Sequence, residues 1–200
     1  MTAVKNRGRF WLVMLVLLLC LVGLFFLSFL IGTYPIGPAA VWDIIRSRFM
    51  AVAVYWEDVM AQIVLQVRLP RILLGILVGG ALSISGASYQ TLFKNPMVSP
   101  DILGASTGAG FGAALAILCG AGYFAISATS FFFGLVAVFA AYLVSRLSRT
   151  NPTVAMILAG IMVSSLFSAG TSYMKLVADT QQQLPAITYW LMGSLSSIKV

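Results

Sequence analysis

The sequence offers little covalent chemistry. Among its 200 residues there is no histidine, and there are five Asp or Glu, twelve Lys or Arg and two cysteines. Without histidine, a Ser-His or Cys-His nucleophile cannot be assembled, and the commonest metal ligand is missing. Cys20 and Cys119 both lie inside apolar runs and read as small packing residues. What remains is polar but not catalytic. Arg68 and Arg71 flank Pro70, and a run of hydroxyls falls at Ser164, Ser165, Ser168, Thr171 and Ser172. Arginine forms bidentate pairs with carboxylates and anchors at headgroups. Hydroxyls on a helix either bond back to the carbonyl four residues earlier or border a hydrated path. Catalytic, metal and cofactor sites are therefore not expected in this chain.

The elements that must hold these residues are dictated by apolarity. Sixty per cent of residues are hydrophobic and 8% charged, against about 25% charged in soluble domains. So few charges cannot form a water-facing shell, and the outer surface must meet lipid. A span needs about 20 apolar residues. Five are expected, over residues 10–31, 70–93, 102–119, 123–145 and 152–174, giving an all-α polytopic membrane bundle that occupies residues 1–200 as one transmembrane domain. The first apolar run is longer than a signal-peptide core of about 7–15 residues and reads as a retained helix. Leu69-Pro70-Arg71 places proline in the first turn of helix two, Ser99-Pro100-Asp101 starts helix three, and Asn151-Pro152 starts helix five. Between spans, residues 38–49 carry Val41, Trp42, Ile45 and Phe49 on one side, as a helix lying at the interface or packed on the protein surface. The segment after Asp179 is too broken to span.

Small residues indicate which helices pack. Gly104, Gly108, Gly112, Ala116 and Gly120 recur at spacing four in helix three, and Gly75, Gly79, Ser83 and Ala87 repeat the pattern in helix two. Such lines let backbones approach closely. Helices two and three are therefore expected inside the bundle as its tightest pair, with helix one facing lipid. The basic residues sit in short breaks between apolar runs, which suits contact with anionic membrane lipid and not nucleic acid. No ionisable residue is expected at mid-membrane depth.

The stretch RLPRILLGILVGGALSISGASYQTLFKNPMVSPDILGASTGAGFGA, residues 68–113, closely resembles the FecCD-type permeases of bacterial ABC importers, the family of cobalamin, haem and iron-siderophore uptake. Its R-x-P-R, N-P-L-x-x-P and L-G-x-x-x-G-A patterns appear in order, with Met97 in place of the usual Leu. Ile157 to Gly160 and Trp190 to Ser194 resemble two later family segments. The resemblance implies a permease of about ten spans, of which this sequence holds five, without the later cytoplasmic loop that docks the ATPase. The sequence thus reads as an N-terminal portion: a fragment, a truncated frame or half of a split permease.

Carried residue by residue, the resemblance implies that Arg68 and Arg71 dock a periplasmic or lipoprotein substrate-binding protein. It implies a cytoplasmic gate at Asn95, Pro96 and Met97 together with Thr153 and Val154. It further implies a second permease copy as dimer partner, separate ATPase subunits, and a bacterial or archaeal inner-membrane location. The solute would be a metal chelate such as an iron-siderophore, haem or cobalamin-like molecule. Two other readings stand beside it. A stand-alone secondary carrier should show a paired ion site or broken helices near mid-depth, and neither is legible. A truncated, non-transporting membrane protein would share every local motif. Basic residues divide evenly between the two sides, so orientation rests on the three that crowd the first helix, which place the N-terminus in the cytoplasm. A single cysteine in residues 32–69, in a background lacking Cys20 and Cys119, should then label with an impermeant maleimide from outside. Labelling only from the cytoplasm would reverse the topology.

Overall fold

The computed structural model describes residues 2–148 and 151–195, and these are all-helical with no strand. The helices are α1 (Thr2–Leu30), α2 (Pro38–Arg46), α3 (Asp58–Gln62), α4 (Leu69–Phe93), α5 (Ala105–Leu118), α6 (Tyr123–Leu147), α7 (Pro152–Val177) and α8 (Gln183–Met192). Four helical runs are long and apolar enough to cross a membrane: Arg7–Leu30, Asp58–Phe93, Tyr123–Leu147 and Pro152–Val177. α5 is apolar but has only 14 residues. The chain divides into two compact units, residues 1–78 with 195–200 and residues 79–194, and α4 runs through the division.

In the first unit, α1 is exposed along nearly its whole apolar length, as a lipid-facing helix must be. Its C-terminal end packs through Phe29 onto Ile36, Val41, Ile44 and Val64. α2 is thereby a packed helix: Val41 and Ile44 point inward with Ile45 partly covered, while Trp42 and Phe49 stay exposed. Helix two does not begin at Pro70. The helical run starts at Asp58, and the backbone widens into a π-helical segment over Ile63–Arg68 before α4. Proline lacks an N–H and crowds the carbonyl four residues back. A wide turn just before it accommodates both defects, so the run continues where an α-helix alone would stop.

Arg68 is drawn into this unit and is only 9% exposed. Its Nη1 donates to the Phe29 carbonyl at the end of α1, and its Nη2 donates to the Tyr34 carbonyl. A cation here satisfies the Phe29 carbonyl that the helix end leaves unpaired and ties the loop carbonyl of Tyr34 to it. Gly32 makes room for it, because a Cβ there would lie 2.5 Å from Arg68 Nη2 and 3.0 Å from Cζ. Two phenols tie the surrounding loops, with Tyr34 Oη donating to Glu57 Oε2 at 3.1 Å and Tyr55 Oη to Asp43 Oδ2 at 2.9 Å. In each case the hydrogen bond to the carboxylate is the main cause that raises the phenol pKa above its ordinary value.

In the second unit, α5, α6 and α7 form the bundle. The expected tightest pair, helices two and three, is not observed. α5 packs on α6 and α7, and α4 buries only Gly86 and Phe93. Gly79 has nothing within 4 Å of a Cβ position, and the nearest atom at Gly75 is Leu195 Cδ1 at 3.8 Å. Gly108 instead faces the Phe133 carbonyl and Ala137 Cβ, each 2.5 Å from a Cβ placed there, and Gly112 faces the Thr129 carbonyl. The spacing-four line is real, but its partner is the following helix. Phe111, Phe133 and Phe167 close the centre with edge-to-face rings 5.1, 5.3 and 6.4 Å apart.

Helix three also starts later than Ser99-Pro100-Asp101 suggests. Residues 94–104 are turns, Gly104 is left-handed at φ 77°, and α5 begins at Ala105. Asp101 does cap the helix, but from five residues away: its Oδ1 accepts from Ser106 N–H at 2.8 Å. Gly160 lies against the Ile102 carbonyl and Ser164 against Gly104. At 1.5 Å per residue these positions are about 12 and 18 Å along α7. The chain therefore climbs part of the span as turns, and the 14 residues of α5 cover about the remaining 21 Å. A non-helical break that carries Asp101 thus lies alongside the first half of α7, although it is not legible as such in the sequence. Non-helical backbone is tolerated there because α7 covers it.

Gly108→Leu or Gly112→Leu should then lower the thermal unfolding midpoint in detergent sharply. Each puts a side chain against backbone that cannot swing aside, at a cost beyond the usual ~1–3 kcal/mol of overpacking. Gly79→Leu should change it little. Equal loss from all three would contradict this packing.

Candidate functional site

α7 carries candidate residues at both of its ends. At its start, the Asn151 side chain accepts from Thr153 N–H at 3.0 Å, with Pro152 in the first turn. This is the cap the sequence suggests, and it fixes Thr153 and Val154 on the first turn. Val154 is exposed and Thr153 partly so. The loop after α4 reaches the same end of the bundle. Its Phe93 and Val98 belong to one apolar cluster with Ala141, Val163, Met156 and Ile157, the last two within a turn of Val154.

That loop is tightly built. Lys94 turns left-handed at φ 49°, Asn95 N–H reaches back to the Gln90 carbonyl at 3.1 Å, and Asn95 Oδ1 accepts from Met97 N–H at 2.9 Å. An asparagine side chain that mimics a backbone turn and a proline with fixed φ make this loop stiff. Its effect is to push Met97 outward, where the side chain is 87% exposed. Asn95, Pro96 and Met97 thus sit at the bundle end that also presents Thr153 and Val154.

Toward the other end, the hydroxyl run of α7 does not act as one face. Ser164 turns to Gly104 at the start of α5. Ser165, Thr171 and Ser172 each donate to the carbonyl four residues back, all at 2.9 Å. Ser168, Thr171 and Ser172 also line a cleft of about 320 Å³, closed by Ser106, Thr107 and Gly110 of α5, Lys175 of α7 and Leu191 of α8. Thr171 and Ser172 thus return their protons to the helix while lining the cleft. Ser106, Thr107 and Lys175 were not singled out from sequence. The signal for the first two was the hydroxyl pair beginning two residues after Gly104, which reads as small packing residues until α5 is known to begin at Ala105. Lys175 is the only ionisable residue among those lining the cleft.

The two arginines have different surroundings. Arg68 is engaged by carbonyls of its own chain, whereas Arg71 is exposed, with Nε donating to the Leu195 carbonyl at 3.2 Å. Both border a cleft of about 300 Å³ with Gly32, Tyr34 and Val67 in the first unit. The sequence pattern pairs them, and the structure separates a structural cation from an available one. Of the packing glycines, Gly104, Gly108 and Gly112 lie on the α5 contacts and Gly75 and Gly79 do not. No group of three or more His, Cys, Asp or Glu that could hold a metal occurs among the described residues.

Known proteins are similar to this chain. The chain is 35% identical over 167 residues to the molybdate import system permease protein MolB of Haemophilus influenzae, covering 84% of this chain and 49% of that protein. It is 33% identical over 200 residues to the vitamin B12 import system permease protein BtuC of Klebsiella pneumoniae, covering 97% of this chain and 54% of the relative. A solved structure, ascribed to a metal-chelate type ABC transporter in an inward-facing conformation, superposes with a TM-score of 0.76 at 34% identity, over 94% of this chain and 55% of that one. The chain spans about half the length of the curated relatives it matches. With the family model for FecCD transport matching residues 17–200, this multi-pass membrane chain belongs to the FecCD transport family.

Proposed function

We propose that this chain forms the N-terminal part of a permease in an ABC importer, moving a metal chelate or a comparable anion or cofactor across the cytoplasmic membrane. Iron-siderophores, haem, cobalamin-like molecules and oxyanions such as molybdate are the solute classes its relatives suggest. The observation that carries the reading is the distribution of groups along α7. One helix bears the exposed Val154 beside a stiff loop that presents Met97 at one end, and a hydroxyl-lined cleft in its other half. Such a helix offers a solute a polar surface on one side of the membrane and a closable apolar constriction on the other. With the N-terminus in the cytoplasm, α7 runs outward, which puts Met97 and Val154 at the inner end and the cleft at the outer.

The working assembly is two permease copies, two ATPase subunits inside and a substrate-binding protein outside. ATP hydrolysis belongs to the separate subunit, and this chain performs no covalent step. Met97 and Val154 stand out from their own bundle far enough to meet a second copy, as a gate between subunits requires. Arg71 is the docking cation. Its guanidinium stays exposed and retains donors for a carboxylate of the binding protein. Arg68 acts beneath it by fixing the loop that follows α1. The break before α5 resembles the broken helices of secondary carriers, but membership of the FecCD transport family favours a permease that draws its energy from a partner.

The test uses the full permease reconstituted with its partner ATPase and binding protein. Arg71→Glu should weaken binding-protein association about tenfold at low salt and less at high salt, because screening reduces exposed pairs. Insertion and thermal stability should stay normal. Arg68→Glu should instead lower stability, because it removes a cation hydrogen-bonded to two carbonyls, each bond worth about 1.5–3 kcal/mol. Undiminished association and ATP-driven uptake with Arg71→Glu would overturn the docking role. Failure of the wild-type assembly to take up any of molybdate, ferric-siderophore or cyanocobalamin in an ATP-dependent manner would overturn the import reading.

A further inference from the structure

A second opening in the second unit has no part in the path just described. A groove of about 840 Å³ runs along the C-terminal half of α6, lined by Phe132, Leu135, Phe139 and Tyr142, with Tyr89 of α4 and Met156 of α7 among its other walls. Its walls are almost wholly apolar carbon, with only the phenol groups of Tyr89 and Tyr142 to offer a polar atom. Ten residues separate Phe132 from Tyr142, a rise of about 15 Å. That is half the roughly 30 Å hydrocarbon core of a bilayer, the depth one acyl chain reaches.

The charges lie at one end. One turn beyond Tyr142, Arg146 donates from Nε at 2.9 Å and from Nη2 at 2.6 Å to Tyr142 Oη, with its guanidinium carbon 5.2 Å from the centre of the ring. A guanidinium has five N–H donors in a planar fork, so three remain for another acceptor. Lys94 stands at the end of α4, two residues past the groove-lining Leu92, and is exposed. Asp101, two residues from the groove-lining Leu103, is turned to Ser106 N–H. Among the described residues the groove therefore ends in two cations, Arg146 and Lys94, and it is greasy below them.

We propose that this groove holds an anionic phospholipid of the leaflet that meets the C-terminal ends of α4 and α6. One acyl chain lies along Phe132 to Tyr142, and the phosphate is held by Arg146 with help from Lys94. Tyr142 has two tasks there: its ring forms the upper wall, and its hydroxyl orients the guanidinium toward the headgroup. Arginine suits the role because a planar fork matches phosphate oxygens, where a lone ammonium acts only as a point charge.

The experiment uses the complete natural polypeptide in detergent and two probes, dioleoyl-phosphatidylglycerol and dioleoyl-phosphatidylcholine, titrated by native mass spectrometry. The wild type should bind one phosphatidylglycerol in preference to phosphatidylcholine. At about 1 kcal/mol for each basic residue near the headgroups, Arg146→Gln should weaken that binding about fivefold and Arg146→Gln with Lys94→Gln about thirtyfold. Leu135→Trp, which fills the groove, should reduce binding of both lipids. A phosphatidylglycerol bearing a photoreactive group on its acyl chain should mark peptides within residues 132–142. Equal binding of the two lipids, indifference to Arg146→Gln, or a label confined to other segments would overturn the proposal. The last result would mean that another helix of the polypeptide occupies the groove.

Discussion

The bundle depends on backbone meeting backbone. In water, helices associate because apolar faces leave solvent, but lipid tails are as apolar as leucine and offer no such drive. What remains is dispersion, which falls off steeply with distance, so helices must come close to hold together. Here the approach is made by glycine. Gly108 and Gly112 of α5 lie against the carbonyls of Phe133 and Thr129 in α6, Gly134 of α6 against the Ala105 carbonyl 3.3 Å from its Cβ position, and Gly160 of α7 against the Ile102 carbonyl. A side chain at the first two positions or at Gly160 would collide with main chain, which cannot rotate out of the way.

The rest of the second unit follows from that contact. With α5 pressed on both α6 and α7, three phenylalanines fill the centre and leave the edge of α5 that carries Ser106 and Thr107 open beside Ser168 and Ser172. The notch at Gly160 admits the turns before α5, so the helix can start midway along α7. Because it starts there, Asp101 can cap Ser106, and the loop before it can descend to the Asn95–Met97 turn beside the first turn of α7. In the first unit a different device serves the same end, as Arg68 closes the end of α1 through carbonyls that Gly32 lets it reach.

Much of this was legible in the sequence, and the reasons it was or was not are physical. Apolar length alone places α1, α6 and α7, because nothing else in a 20-residue run competes with spanning the bilayer. The Asn151-Pro152 start of α7 was readable because the capping atoms are local. The spacing-four glycines of helix three correctly marked a packing face, but a stripe of small residues says nothing about which helix it meets. The choice between α4 and α6 was therefore open, and the guess of α4 failed. Pro70 misled because proline's preference for a first turn takes no account of a π-helical segment absorbing it. Ser99-Pro100-Asp101 misled in the same way. A local cap pattern was present, yet the left-handed Gly104 and the space at Gly160, sixty residues apart in the chain from the Pro100 region, set where α5 begins. The two arginines of R-x-P-R looked equivalent since their difference lies wholly in Phe29, Gly32 and Tyr34, which no spacing rule connects to them.

The central claim is that α5 is clasped by α6 through glycine contacts and not by α4. A Cβ at Gly134 would lie 3.6 Å from Ala109 Cβ, close to the ~3.8 Å separation that a disulfide requires. Ala109→Cys with Gly134→Cys, in a background where Cys20 and Cys119 are serine and a protease site is inserted at residues 120–122, should cross-link on mild oxidation. The protein should then run as one band after cleavage until reductant is added. Ala109→Cys paired with Gly79→Cys, in the same background but cleaved at a site inserted in the 94–98 loop, should fall into two fragments under both conditions. Cross-linking of the Gly79 pair with none at Gly134 would contradict the account.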